Sequence, residues 1–299
     1  MKVTVCCCRK GSATELCDMT KPPNRAGAHT CISRLAAPIL GALLLISAPL
    51  PLESSETGIP GGLAYVWWKF ERPEFEDFQI DITIYNDLAA TPGLYFQMYQ
   101  GQIGDIGFYF GLQTDVYEPD AGGRGKGLIF SRWKTRDVSE TRPAPDGWVQ
   151  SAGYEGDFVG IRKKYAWTNH RYRLRLTAVD EDDKGLWYGL FILDYDIRTE
   201  DYAGAIRFPK ARGQRPRIRD GGGTWMEIYS DANQRSDVPS WHVSIDGCFA
   251  DNRKVRAKEA VADYSKVPDT DIYLVKETGS IHMLIGKGVS REHPKGKLF

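Results

Sequence analysis

Neither sign of charge is in excess: Lys+Arg and Asp+Glu both number 39 in 299 residues. No global field draws the chain to nucleic acid, and no basic stripe is interleaved with a recognised binding motif. Cysteine is almost missing from the part expected to fold. Cys6, Cys7, Cys8, Cys17 and Cys31 lie in the first 52 residues, which leaves Cys248 alone. A single thiol makes no internal disulfide, no Cys/His group has zinc-site spacing, and Cys248 reads as a small buried core residue. Catalytic signatures are lacking as well. There is no G-x-S-x-G elbow, no H-E-x-x-H, and His170, His242, His282 and His293 are scattered without a Ser/His/Asp arrangement. "GGRGKG" (122–127) lacks the order of a phosphate loop and opens a strand where a helix N-terminus is needed.

Long apolar runs are lacking too, with one exception. Residues 35–52, "LAAPILGALLLISAPLPL", follow Arg34, are broken by Pro38, Pro49 and Pro51, and pass small residues at Ser47 and Ala48. This pattern predicts a secretory signal, with an uncleaved membrane anchor as the alternative. The 34 residues before it exceed a usual n-region, so translation is expected to begin at Met19. The expected organisation is a leader and signal over 1–52, a linker over 53–62, one domain over 63–288, and a tail over 289–299. Six of the basic and two of the acidic residues fall in the leader, leaving 33 and 37 in the remainder, which is mildly acidic.

From residue 63 the chain is a series of short runs rich in Tyr, Phe, Trp, Ile and Val, punctuated by Gly, Asp, Asn and Pro. About thirteen strands are expected, from 63–70 to 281–285. The one helical candidate is 253–264, where Val255, Ala260 and Val261 give a thin stripe. The fold class is therefore all-β, an antiparallel sandwich or jelly roll of the lectin-like type. The connections 139–147 and 212–223 are long for strand loops.

Alternation divides each strand between two faces. In 105–114, Ile106, Phe108, Phe110 and Leu112 oppose Tyr109 and Gln113; in 93–100, Leu94, Phe96 and Met98 oppose Tyr95, Gln97 and Tyr99. Downstream, Leu174 and Leu176 oppose Arg171, Arg173 and Arg175, and Met226 and Ile228 oppose Trp225, Glu227 and Tyr229. If these strands are neighbours, Tyr95, Gln97, Tyr99, Tyr109, Gln113, Arg173, Trp225, Glu227 and Tyr229 form a field that suits a sugar. Rings stack on a pyranose face while amide, guanidinium and carboxylate groups bond its hydroxyls. The same side chains also suit a solvated sheet that binds nothing.

Other constellations lead to different chemistry. Glu155 and Asp157 in "YEGDF" are spaced to supply an acid and a base or nucleophile for glycoside hydrolysis or polysaccharide cleavage by a lyase, with Arg162 or an outward arginine. No cofactor is implied. Structural calcium has oxygen donors in "DEDD" (180–183), in Asp194 with Asp196, and in Asp231, Asn233 and Asp237, none with full EF-hand spacing.

The order of "GFYFGLQTD", "GKGLIFSRW", "EGDFVGIRKKYAWTNHRYRLRLT", "LWYGLFILD" and "AGAIRFP" resembles the secreted family catalogued as domain of unknown function 3472, over roughly residues 63 to 285. The resemblance implies a secreted, lectin-like β domain and carries no activity. The expectation is an exported, monomeric carbohydrate-binding module without a stable membrane anchor or nucleic-acid partner, its ligand an extracellular or cell-wall glycan. The alternatives are a glycoside hydrolase or polysaccharide lyase, and a protein-binding surface module.

Overall fold

Period-two alternation dominates the chain because most strands bury one face and leave the other for a different environment. The computed structural model describes residues 61–89, 93–118, 124–154, 156–229 and 238–299. The apolar run 35–52, Met19, Glu155, and the 231–237 segment lie outside the described residues.

Twenty strands are named among the described residues, and every pairing between them is antiparallel. The larger sheet holds β1 (Gly61–Lys69), β2 (Glu74–Phe75), β4 (Leu94–Ile103), β5 (Ile106–Tyr117), β6 (Arg124–Trp133), β8 (Gly147–Ala152), β9 (Phe158–Lys164), β13 (Ile218–Arg219), β14 (Gly223–Ile228), β17 (Glu259–Tyr264) and β20 (Gly296–Lys297). Its order is β20-β17-β1-β14-β4-β5-β6-β9-β8, with β13 and β2 off this path. The smaller sheet holds β3 (Asp77–Ile84), β7 (Thr141–Pro143), β10 (Arg171–Glu181), β11 (Gly185–Asp194), β12 (Thr199–Pro209), β15 (Trp241–Ala250), β16 (Val255–Arg256), β18 (Thr270–Val275) and β19 (Ser280–Ile285). Its order is β18-β19-β15-β3-β10-β11-β12-β7, with β16 on β15.

The sheets face one another across a core of rings and branched aliphatics. Phe78 of β3 packs on Tyr99 of β4 at 4.0 Å and on Phe110 of β5 at 6.1 Å between ring centroids. Phe108 of β5 meets Phe208 of β12, and Phe96 of β4 meets Trp241 of β15. Each of these fully buried rings contributes about 1.5–3 kcal/mol relative to exposure. This is an all-β sandwich.

Two expectations from spacing are corrected. Tyr99 was to point outward with Tyr95 and Gln97, but the β4–β5 register shifts between Gln97 and Tyr99. The bulge inserts an extra residue and reverses the alternation, so Tyr99 enters the core with 0% exposure, its hydroxyl donating to the Arg219 carbonyl. The helix over 253–264 does not form. Asp251, Asn252 and Arg253 all have positive φ (49°, 55° and 65°), which turns the chain back before any right-handed helix can start. β16 and β17 follow, with Ala260 and Ala262 buried at strand spacing and Val261 between them on the other face.

The long connections are partly structured. Residues 138–143 form a short 3-10 turn (Val138–Glu140) and β7, anchored by Arg207, which donates to both oxygens of Glu140 at 2.9 and 2.7 Å. The 289–299 segment, expected as a tail, supplies β20 to β17, and Leu298 and Phe299 pack on the core. Cys248 is buried and free, and burial holds its thiol well above the ordinary range.

Candidate functional site

The outer face of the larger sheet gathers seven of the nine side chains expected to contact ligand. Register aligns Tyr65, Trp225, Gln97, Gly111, Ile129, Arg162 and Trp148 in one row across β1, β14, β4, β5, β6, β9 and β8. The row on one side runs Glu227, Tyr95 and Gln113. On the other side stand Trp67, Gly223, Gln100, Tyr109, Ser131, Gly160 and Gln150.

These residues play three different parts. Tyr95 and Tyr109 are only 4% and 8% exposed and form a second hydrophobic cluster with Val116 and Ile129, against which Trp133, Trp148 and Tyr229 pack. Tyr229 also ties β14 to β5: its hydroxyl donates to the Asp115 carbonyl at 2.8 Å and accepts from the Asp115 N–H at 3.0 Å. These rings are floor. A more open aromatic group lies at the β1–β14 end, where Tyr65, Trp67 and Trp225 stand 5.7–6.1 Å apart, Trp67 41% exposed and the other two half-buried. Glu227 accepts from the Trp225 indole N–H at 3.0 Å and so fixes that ring's orientation. Gln97 lies between platform and floor, buried, with its Nε2 amide lacking any partner.

Glycines let this face come close to the backbone. A Cβ on Gly111 would sit 2.1 Å from the Phe96 carbonyl oxygen and 2.8 Å from the Tyr95 ring. At Gly160 it would fall 2.3 Å from Ser131 Oγ and 2.6 Å from Arg162 Nη1, so the glycine makes the space in which the Arg162 guanidinium lies. Arg162 donates through Nη1 to Ser131 Oγ at 2.9 Å and to the Ile161 carbonyl at 3.0 Å.

Arg173 is corrected. Its strand, β10, belongs to the smaller sheet, and its guanidinium grips Asp81 of β3 through Nε at 2.7 Å and Nη2 at 3.2 Å. Arg253 adds a third bond to the same carboxylate at 2.8 Å. The Asp81 carboxylate raises the Arg173 pKa above its ordinary value. This is an ion-pair cluster on the opposite side of the molecule from the aromatic platform.

Of the proposed catalytic pair, Asp157 is exposed at the mouth of the β8–β9 hairpin, and Glu155 lies outside the described residues. Within "DEDD", Asp180 pairs with Arg142 and Glu181 with Lys210 and Arg215, while Asp182 is occupied by the turn. Asp182 accepts from the Lys184 and Gly185 N–H groups, the Trp187 indole and Arg207, which hold its carboxyl far below the usual range. His170, Asp194 and Asp196 bring potential metal-ligand atoms within 4.8 Å of one another. Asp194 already takes His170 Nδ1 on one oxygen and the Asp196 and Ile197 N–H groups on the other, while Asp196 caps the Arg171 N–H. The cluster closes a hairpin.

The smaller sheet's outer face has a feature of its own. Tyr85 stacks on His242 at 4.2 Å, His242 Nε2 lies 2.8 Å from His282 Nδ1, and Tyr273 stacks on both His282 and His293 at 5.1 Å. Burial, then the neighbouring His282, pushes the His242 imidazole down to about 4.

Spacing alone missed Tyr65, Trp67 and Trp148 as members of the site, and named Arg162 only as a partner of Glu155 and Asp157. The signal was present in "LAYVWWKF", where Ala64, Val66 and Trp68 alternate with Tyr65 and Trp67, and in "DFVGIRKKY", where Gly160 and Arg162 oppose Val159 and Ile161.

No family model matches the chain, and no curated protein matches it. Solved structures similar to it include two crystal structures of scytalido-glutamic peptidase. One, with a peptide-based transition-state analog, is 9% identical with a TM-score of 0.38, covering 75% of this chain and 98% of the peptidase chain. The other, with a transition-state analog inhibitor, is 9% identical with a TM-score of 0.39, covering 74% and 97%. No helix among the described residues is long and apolar enough to cross a membrane.

Proposed function

We propose that the protein is an exported carbohydrate-binding module whose glycan lies on the outer face of the larger sheet. One observation carries the reading: Tyr65, Trp67 and Trp225 form an aromatic platform with the Glu227 carboxylate beside it. A pyranose presents apolar C–H faces and a rim of hydroxyls. The platform matches the faces, and the carboxylate matches the rim.

The proposal extends to the lectin-like type of sandwich, kinship with the family catalogued as domain of unknown function 3472, and a monomeric protein that uses no cofactor. Export follows from residues 35–52 acting as a secretory signal, with translation from Met19. The test is incubation of the purified protein with a panel of soluble and insoluble polysaccharides, reading retention and released sugars. Retention without products is the expected result, with about tenfold weaker retention of Trp67→Ala. Release of reducing ends or unsaturated sugars would replace this reading with a catalytic one, and absence of retention across the panel would end it.

A further inference from the structure

We infer that the glycan carries a carboxylate, and that Arg162 binds it: the ligand class is an acidic polysaccharide built of uronate residues. The inference rests on the carbohydrate reading above and adds the charge of the ligand to it.

Four cationic side chains are buried among the described residues, namely Arg132, Arg162, Lys163 and Arg207. Three face carboxylates. Arg132 lies 3.7 Å from Glu140, Lys163 lies 2.7 and 2.9 Å from Asp146 and Asp201, and Arg207 lies 2.7 and 2.9 Å from Glu140 and Asp182. Arg162, 6% exposed, has only the neutral oxygens of Ser131 and Ile161. A buried cation without a counter-charge is costly, so the fold elsewhere supplies one and here leaves it to come from outside.

The geometry of this arginine points to a planar anion. Both of its hydrogen bonds use Nη1, so the Nε and Nη2 donors remain for a second molecule, and that edge of the guanidinium matches a carboxylate bidentately. Ser131 Oγ holds the group in place, and Gly160 beneath it keeps the space open. Trp148 stands beside Arg162 on the neighbouring strand, and Tyr109 is the cross-strand partner of Ser131. Tyr109 lies beneath as floor, so the partly buried Trp148 is the aromatic side chain that a sugar ring carrying the carboxylate would meet beside the cation.

The experiment compares the intact protein's affinity for polygalacturonate, for its methyl ester of matched length, for a neutral glucan and for dextran sulfate. Esterification removes the charge and leaves the ring, so the comparison needs no variant. The inference predicts at least about tenfold tighter binding of the acid than of the ester, weakening with salt, with the difference abolished in Arg162→Gln. Thermal melting establishes that this variant is folded; if it is not, the acid-to-ester ratio of the wild type decides alone. Equal affinity for acid and ester, or tighter binding of dextran sulfate, overturns the carboxylate assignment and leaves carbohydrate binding standing. An undiminished preference for the acid in folded Arg162→Gln overturns the role of Arg162. Failure to bind any of the four overturns both readings together.

Discussion

Replacing Arg173 by methionine separates a structural arginine from a ligand-binding one. Arg173 supplies two of the three side-chain hydrogen bonds that reach Asp81, a carboxylate only 3% exposed on its side chain. Breaking a buried ion pair by removing one partner costs about 3–5 kcal/mol in full. Here Arg253 keeps its bond at 2.8 Å, and Arg173 itself is 24% exposed, so the loss is reduced by solvent screening to about 2 kcal/mol. For a domain of this size that corresponds to a fall in melting temperature of about 4–8 °C. Calorimetry measures the fall, and titration with the retained polysaccharide measures affinity, expected to be unchanged. Asp81→Asn combined with Arg173→Met is expected to cost less than the sum of the single changes, since both act on one cluster. A melting temperature within about 1 °C of wild type together with weakened polysaccharide binding would refute the assignment, because it would return Arg173 to the ligand face.

Other outcomes follow from the same structure. Tyr99→Phe loses the hydroxyl's bonds, among them the 3.3 Å bond to the Arg219 carbonyl, and is expected to cost under about 1.5 kcal/mol, whereas Tyr99→Ala empties a core site and is expected to cost about 3–5 kcal/mol in denaturant unfolding. Gly111→Ala places a methyl group 2.1 Å from the Phe96 carbonyl oxygen, so a destabilisation of about 1–3 kcal/mol is expected from overpacking between β4 and β5. Acidification is expected to destabilise the protein through His242, whose folded pKa of about 4 lies below its ordinary 6.5. The neutral imidazole is the form the fold favours, so this contribution is intact above pH 6.5 and is lost as pH falls towards 4. Allowing for the ring's half-exposed setting, it amounts to about 1–2 kcal/mol, and His242→Gln should flatten that part of the stability profile.

The rings between residues 95 and 115 illustrate what alternation reveals and what it hides. Phe96, Phe108 and Phe110 are core, and the opposite parity of Tyr95, Gln97, Tyr109 and Gln113 was legible because strand geometry has a fixed period. Tyr99 was not legible. Its inward turn depends on a bulge in pairing with β5, a non-local event that leaves no mark in the spacing of β4 itself. Strand neighbours were hidden for the same reason. Arg173 has the same outward alternation as Trp225, yet pairing assigns the two to different sheets. The false helix over 253–264 came from local composition, overruled by the positive φ angles at 251–253 and by pairing with β15 and β1. Arg162 stood in plain alternation, but its lack of a carboxylate partner is a tertiary fact visible only once the other buried cations have theirs.

Isothermal titration of the retained polysaccharide against wild type, Trp67→Ala and Tyr273→Ala tests the location of the binding face most directly. Trp67 belongs to the platform on the larger sheet, and Tyr273 to the imidazole stack on the smaller one. The account predicts that Trp67→Ala weakens binding about tenfold while Tyr273→Ala leaves it unchanged. Loss of affinity in Tyr273→Ala with Trp67→Ala unaffected would contradict it.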